Sequence, residues 1–527
     1  MNGAMAAQVL VAGAGPVGLT LTHELLRRGV RVRLVDAAAG PAVTSRALAT
    51  HARTLETYDQ MGILDDVLPR GRRVQAFTLH ENGRVLTRLG TDYRHLPTRF
   101  PFTLMVDQAI TEEVLRAAVE RLGGRIEWGV RLDRVTQDGT RVRATLRHPG
   151  GATEETTVPW LVGCDGGHST VRKQLGLALV GRSSETWLIA DAQVHADVPD
   201  DSIHWVRAGR TTVMLVPFPE PGRWRLLDTA DADYAGDADA VAARFARKLS
   251  AGLGCHVRVN TPTWVSVFTI QQRMLPRMRV GRCFVAGDAA HVHSPASGQG
   301  MNTGIQDAYN LGWKLAMVAR GQAGQALLDS YPTERVPIGR TLLRSTRKAT
   351  ALIQLKNPAL AAVVPLLFRA VDAVPAVRGK VQRKIMGEMS ALGVTYPVGA
   401  ADDDPAPRPG QRLSQVTAEA ATDPGWTAVL AYLRDPRWLL LITGPGDDAR
   451  RSLPADRAHW LAVVDIADGG VPDLTGRLRA DLNLASGGWL LVRPDGYVAA
   501  RGKRWDAAAF RAAVDAVVPR PAALERV

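Results

Sequence analysis

Cysteine is scarce in this chain. Only Cys164, Cys255 and Cys283 occur in 527 residues, with no CxxC pair and no histidine and cysteine cluster, so neither a disulfide framework nor a zinc site has a basis and no metal is expected. No stretch approaches the roughly 20 uninterrupted apolar residues of a membrane span. A basic segment followed by an apolar signal core is also missing, because Gln8 already leads into a strand, and a cytoplasmic protein is expected. Acidic residues are the minority, 52 against 65 lysines and arginines, for a net charge of +13. The excess is spread along the chain, and no aromatic-interleaved basic stripe accompanies it. It reads either as a solvated surface or, functionally, as an attraction for a phosphorylated cofactor or an acidic substrate, and less well as a nucleic-acid surface. There is no repeat and no low-complexity tract. The length provides for two to four domains, each with its own core.

What is present is a strand, turn and helix pattern used three times. Residues 8–12 are an apolar strand run, followed at once by Gly13-Ala-Gly-Pro-Val-Gly18, a helix over 17–28 and a strand over 30–35 that ends in Asp36. This is a G-x-G-x-x-G motif in its full βαβ context, with an acid at the distance that suits a ribose. Gly13 makes the tight turn, Gly15 lets a pyrophosphate approach the backbone, and Gly18 lets helix pack on strand. A second run, 283–286, stops at Gly287-Asp288. A glycine-rich loop, Ser297-Gly-Gln-Gly-Met-Asn302, then feeds a helix from Thr303 with apolar spacing through Ile305, Ala308, Leu311, Leu315 and Val318. Such a loop before a helix N-terminus suits an anion or a polarised ring edge. A third strand, 156–162, runs into Gly163-Cys-Asp-Gly166 and a short helix.

Between these pieces, residues 187–264 turn β-rich. Trp187, Trp205, Met214, Phe218 and Trp224 can line a flat apolar pocket there, or simply pack the sheet. Asp239 is placed to cap a helix over 240–249. Asn82-Gly83 is a strong hairpin signal. Residues 331–396 are helical and basic, 401–410 form a linker, and a last unit has strands near 438–443, 460–466, 489–493 and 497–501 and a helix over 507–518. Mixed elements of that size suggest a thioredoxin-like sandwich, but without cysteine it has no dithiol chemistry.

The three strand and turn segments together resemble the fingerprints of the class A flavoprotein monooxygenases of the para-hydroxybenzoate hydroxylase type. The wording Gly298-Gln-Gly-Met-Asn-Thr-Gly-Ile-Gln-Asp-Ala-Tyr-Asn-Leu-Gly-Trp-Lys314, with a cysteine-free C-terminal unit, is similar to the aromatic polyketide hydroxylases. The resemblance implies an α/β protein with a Rossmann-type FAD-binding domain (1–176 and 265–345), an inserted β-sheet substrate domain (177–264, with strands near 75–105 contributing), a helical and linker segment (346–400) and a thioredoxin-like domain (401–527). It implies FAD held by Gly13, Gly15, Pro16, Val17, Gly18, Asp36, Arg46, Gln108, Asp165 and Asp288, with Pro295, Gly298, Gly300, Met301 and Asn302 against the isoalloxazine. NADPH would reduce the flavin, dioxygen would add at C(4a), and the hydroperoxide would hydroxylate a polycyclic aromatic substrate lying on Trp205, Met214 and Phe218. Arg53 is the candidate flavin-proximal charge, and Pro295 the second candidate catalytic position. A Baeyer-Villiger oxygenase shares the same fingerprints, and a flavin-bound scaffold without turnover is a further alternative. His291 and His293 are tempting acid/base groups, His291 reading as structural.

Overall fold

The computed structural model describes residues 6–42, 47–89, 96–209, 211–293, 298–354, 387, 390–398, 404–444, 446–453, 455–466 and 470–521. Its first layer is a sheet of six strands in the order Arg279–Val280, Cys283–Val285, Trp160–Gly163, Val9–Ala12, Val32–Asp36 and Ile126–Trp128. All but the first run parallel. Val9–Ala12 is buried throughout, as its unbroken apolar run requires of a central strand covered on both faces. Helices Pro16–Leu26 and Gln299–Ala319 pack on the sheet and on each other at glycine contacts. A Cβ on Gly304 would sit 2.7 Å from Val17 Cγ2, and one on Gly312 would sit 2.7 Å from Glu24 Cβ. The three segments read from the sequence therefore end together, at the carboxyl edge of one parallel sheet, which is where such sheets bind ligands.

The second layer is a sheet of nine strands. Its path runs from His291–Val292 through Trp264–Met274, Val180–His195, Arg223–Asp228, Thr211–Pro217, Ser202–Ala208 and Ala76–Glu81 to Arg84–Leu89, with Arg258–Val259 beside Val180–His195. Alternation gives it two faces. Leu188, Ala190, Val206, Leu215, Trp224 and Leu226 face the helix Ala238–Leu253. Trp187, Ile189, Ile203, Met214, Val216, Phe218 and Leu227 face the other way and meet Leu48, Val74 and Met105 of the first domain. The hairpin at Asn82-Gly83 forms with both residues at positive φ, 49° and 76°, as a type I′ turn demands.

Three expectations shift here. Among the described residues of the 75–105 stretch, only Ala76–Leu89 joins the large sheet, because Thr103–Met105 pairs instead with Ala49–Thr50 and Arg72–Val74. Residue 264 is no boundary in the sheet, since Trp264–Met274 is one continuous strand paired with Val180–His195. The cap of the Ala238–Leu253 helix is Asp237, which accepts from Ala240 N at 2.9 Å, and not Asp239, whose carboxylate takes the Thr261 hydroxyl.

The C-terminal unit has four strands in the order Leu461–Asp465, Trp438–Ile442, Trp489–Val492 and Val498–Gly502, the first pair parallel and the others antiparallel. One face buries Leu490 against Trp426 and Val429 of the helix Pro424–Tyr432. The other face packs Trp438, Trp460 and Trp489 together with Trp313 and Met317 of the Gln299–Ala319 helix. The unit thus shares a core with the first domain.

Candidate active site

The glycines of the first turn divide into two kinds. A Cβ on Gly13 would collide with the carbonyl of Cys164, and one on Gly18 with the carbonyl of Gly13, so both serve internal packing. A Cβ on Gly15 would meet nothing within 4 Å. Gly15 fronts open space, and Pro16 and Val17 begin a helix with no acid in its first turn, so its N-terminal amides are free to meet an anion. Asp36 closes the far side: its Oδ2 accepts from Ala14 N at 2.6 Å and its Oδ1 from Ala38 N at 2.8 Å. This cradle has the shape and the charge for a dinucleotide diphosphate.

The ring end lies at the second glycine loop. Gly298 adopts the left-handed region at φ 61°, and a Cβ there would sit 2.9 Å from Ala49 Cβ. The helix begins at Gln299, four residues before the expected Thr303, so that Gly300, Met301 and Asn302 form its first turn. Gly300 also fronts open space. Asn302 is locked: it accepts from His51 N at 2.9 Å and donates to Ala49 O and Gly298 O, both at 2.8 Å. Gln108 accepts from Ala47 N at 3.1 Å and donates to Glu112 at 2.8 Å, which fixes the chain entering Leu48 and Ala49. Arg46 and Pro295 lie outside the described residues. With open space at Gly15 and Gly300 and donors at both ends, the residues present fit FAD.

Asp165 has a structural task. Its carboxylate accepts from Ser169 Oγ and from the amides of Thr170 (2.7 Å) and Val171 (3.1 Å), at the start of Thr170–Gln174. Asp288 is exposed in the short turn Gly287–Ala289 at the sheet edge.

Beneath the ring end runs a buried chain of polar groups that sequence reasoning missed in part. His291 Nε2 donates to Asp307 Oδ2 at 2.5 Å, and Asp307 Oδ1 accepts from Arg335 Nε at 2.7 Å. Because a carboxylate only accepts, His291 Nε2 carries a proton, and its Nδ1 lies 2.9 Å from His293 Nε2, with the donor of that second bond set by the protonation of the two rings. Burial opposes the charge on Asp307, but His291 and Arg335 outweigh it and hold the carboxyl down at about 2. Burial pushes His293 well below the usual imidazole range, with the neighbouring His291 adding to the effect. The signal for Asp307 was an acid inside an otherwise apolar helical spacing.

The Arg53 guanidinium donates to Glu56 (3.0 Å) and to the carbonyl of Asp495 (2.8 Å) and lies 5.1 Å from the centre of the Tyr497 ring, so it is engaged at the contact with the C-terminal unit. On the large sheet, Trp205, Met214 and Phe218 do share the face that meets Leu48 and Ala49, and through Ala49 that face adjoins the loop held by Asn302. Trp224 lies on the opposite face, under the helix. No group of side chains suited to a metal occurs among the described residues, and no helix among them is long and apolar enough to cross a membrane.

A phosphate cradle, a ring-edge loop and an adjoining aromatic face define a flavin-dependent oxygenase site. The chain belongs to the FAD-dependent aromatic-ring hydroxylases: residues 6–346 match the FAD binding domain family and residues 406–521 the aromatic-ring hydroxylase C-terminal family. It is 52% identical to 6-methylpretetramide 4-monooxygenase of Streptomyces rimosus over 94% of this chain and 91% of that one. Among solved structures it resembles OxyS anhydrotetracycline hydroxylase from Streptomyces rimosus (TM-score 0.76, 31% identity, 98% of this chain and 100% of that one). It also resembles the flavin-dependent monooxygenase PieE in complex with FAD and substrate (TM-score 0.78, 26% identity, 95% and 96%).

Proposed function

We propose that this enzyme acts in the cytoplasm, with NADPH and dioxygen, to hydroxylate a polycyclic, polyketide-type aromatic substrate of the tetracycline-precursor kind. The observation that carries the reading is the aromatic face of Trp205, Met214 and Phe218, which adjoins the ring-edge loop through Ala49. A flat apolar ligand on that face lies beside the flavin ring, and the identity to 6-methylpretetramide 4-monooxygenase favours a substrate of the same chemistry.

Bound FAD supplies the electron transfer from the nicotinamide and the activation of dioxygen. Gly15 and the amides of the Pro16–Leu26 helix hold its diphosphate, Asp36 its adenosine ribose and Asp288 its ribityl chain. Gly300, Met301 and Asn302 offer the first-turn amides of the Gln299–Ala319 helix to the ring edge, where negative charge develops on reduction. The apolar walls keep water from the reacting carbon.

The test is anaerobic reduction of the purified enzyme by NADPH with and without hydroxylated polycyclic quinones, followed by oxygen and mass analysis of the product. Substrate-accelerated reduction and a product one oxygen heavier, with fragmentation placing that oxygen on a ring carbon, is the expected result. A lactone product would make the enzyme a Baeyer-Villiger oxygenase. Bound FAD that NADPH never reduces would end the reading.

A further inference from the structure

The Gln299–Ala319 helix offers Gly300, Met301 and Asn302 to the ring edge, and the first charged residue behind them is Asp307. It lies six residues beyond Met301, about 9 Å along the helix axis. Asp307 is buried and both its oxygens are engaged: Oδ1 accepts from Arg335 Nε at 2.7 Å, and Oδ2 accepts from His291 Nε2 at 2.5 Å and from Gly287 N at 3.2 Å. A negative charge at that depth opposes the positive end of the helix, the end that faces the ring. Arg335 supplies the opposite charge from a separate element, the Ser330–Gln354 helix, and is equally buried. Its guanidinium also donates to the carbonyl of Thr303 at 3.2 Å, one residue after the ring-edge turn, and to the Tyr396 hydroxyl at 3.3 Å. Two opposite charges thus stand close together behind the amides that meet the ring.

We propose that Asp307 and Arg335 form a matched charge pair that sets the reduction potential of the bound flavin through the Gln299–Ala319 helix. A hydride, two electrons with one proton, passes from NADPH to the ring and NADP+ is released, so the ring side gains one negative charge. The intact pair presents no net charge to that edge, and the first-turn amides act unopposed. With one partner gone, the edge faces a unit charge across about 10 Å of protein interior, which alters the balance of oxidised and reduced cofactor about tenfold. Both are positioning residues, since they act through the helix and touch neither cofactor nor substrate. The inference rests on the reading that places the ring edge at Gly300, Met301 and Asn302, and adds to it the groups that control reduction.

The test is the midpoint potential of the FAD-loaded enzyme, read by anaerobic reduction against a reference dye at about pH 8.5, where an ordinary imidazole is neutral. Asp307→Asn leaves the guanidinium uncompensated and is expected to raise the potential; Arg335→Gln leaves the carboxylate and is expected to lower it. Each shift should be about 30 mV, the two-electron equivalent of tenfold. The double variant should fall between the two, and Arg335→Lys, which keeps the charge and loses the planar fork, should stay near wild type. A pair that only held helices together would move both single variants the same way or neither, and either result would overturn the proposal. Where one single variant does not fold with FAD bound, the sign of the other decides: Asp307→Asn at or below wild type, or Arg335→Gln at or above it, sinks the pair. Opposite shifts in an enzyme that hydroxylates nothing would uphold the pair and end the hydroxylase reading instead.

Discussion

Arg493 of the C-terminal unit and Glu334 on the helix Ser330–Gln354 are joined by two hydrogen bonds, of 2.7 and 2.9 Å, in an interior where both side chains are buried. The pair is not isolated. Lys314 donates to Glu334 at 2.8 Å, Arg493 also holds Asp495, and Tyr309 donates to the carbonyl of Pro494. Arg412, also of the C-terminal unit, holds both oxygens of Glu56 on the helix Ala52–Met61 at 2.8 Å. The turn 493–496 is thus inserted among the helices that carry the ring-edge loop and its neighbours.

Removing one partner of such a pair strands a charge where water cannot reach it. Arg493→Met or Glu334→Gln is expected to lower unfolding free energy by about 3–5 kcal/mol, measured by denaturant titration of the holoenzyme. Because the two share one network, the double variant should lose less than the sum of the single losses. Strict additivity would show that the groups act separately.

The two kinds of glycine in the first turn separate cofactor affinity from folding. Gly15→Val puts a side chain into the open space and should give a colourless protein whose circular dichroism matches that of the apo wild type. Gly18→Ala drives a methyl into the carbonyl of Gly13 and should melt well below wild type whether FAD is present or not. A yellow Gly15→Val enzyme with normal FAD affinity would remove the cradle from the diphosphate.

Three buried imidazoles make stability depend on pH. Burial lowers His80, to about 4, with His204 adding to the shift, and it also lowers His204 and His293. In the unfolded chain each titrates near its ordinary value of about 6.5. Below that pH the unfolded state binds more protons than the folded one, so stability is full above about pH 6.5 and falls as the pH drops from there. Urea midpoints measured from about pH 7.5 to about pH 5 should decline, and His80→Gln should flatten the decline.

Met214 and Trp224 test which face of the large sheet takes the ligand. Met214→Phe should raise KM for a polycyclic substrate several-fold with FAD content unchanged, whereas Trp224→Phe should lower thermal stability and leave KM near wild type. The reverse pattern would place the ligand on the helix-covered face.

The dinucleotide fold was legible because its constraints are local: an apolar strand, glycines at fixed spacing and an acid at the next strand end announce themselves within about 30 residues. The aromatic set was legible in composition but not in direction. Trp224 falls one residue out of phase with Arg225, and only the strand register tells which side each takes. The direction of the Arg53 side chain was not legible either, because it is decided by Tyr497 and Asp495, more than four hundred residues away in sequence. Asp307 and Arg335 are likewise paired by helix packing, which leaves no short-range trace. The position of Asp237 against Asp239 is a matter of one half-turn, the usual uncertainty of a helix end.

The parallel sheet that cradles the diphosphate gathers strands from residues 9, 32, 126, 160 and 283. A ribosome must therefore release more than half of the chain before the last of those strands can take its place beside Trp160–Gly163. Most of the substrate sheet, residues 180–274, is made in the interval between the fourth of those strands and the fifth, and the turn that braces the ring-edge helix emerges only near the end. Long-range closure of this sort is slow and leaves apolar edges waiting. Flavin capture is accordingly a late event in biogenesis, because the ring-edge loop follows the last of those strands.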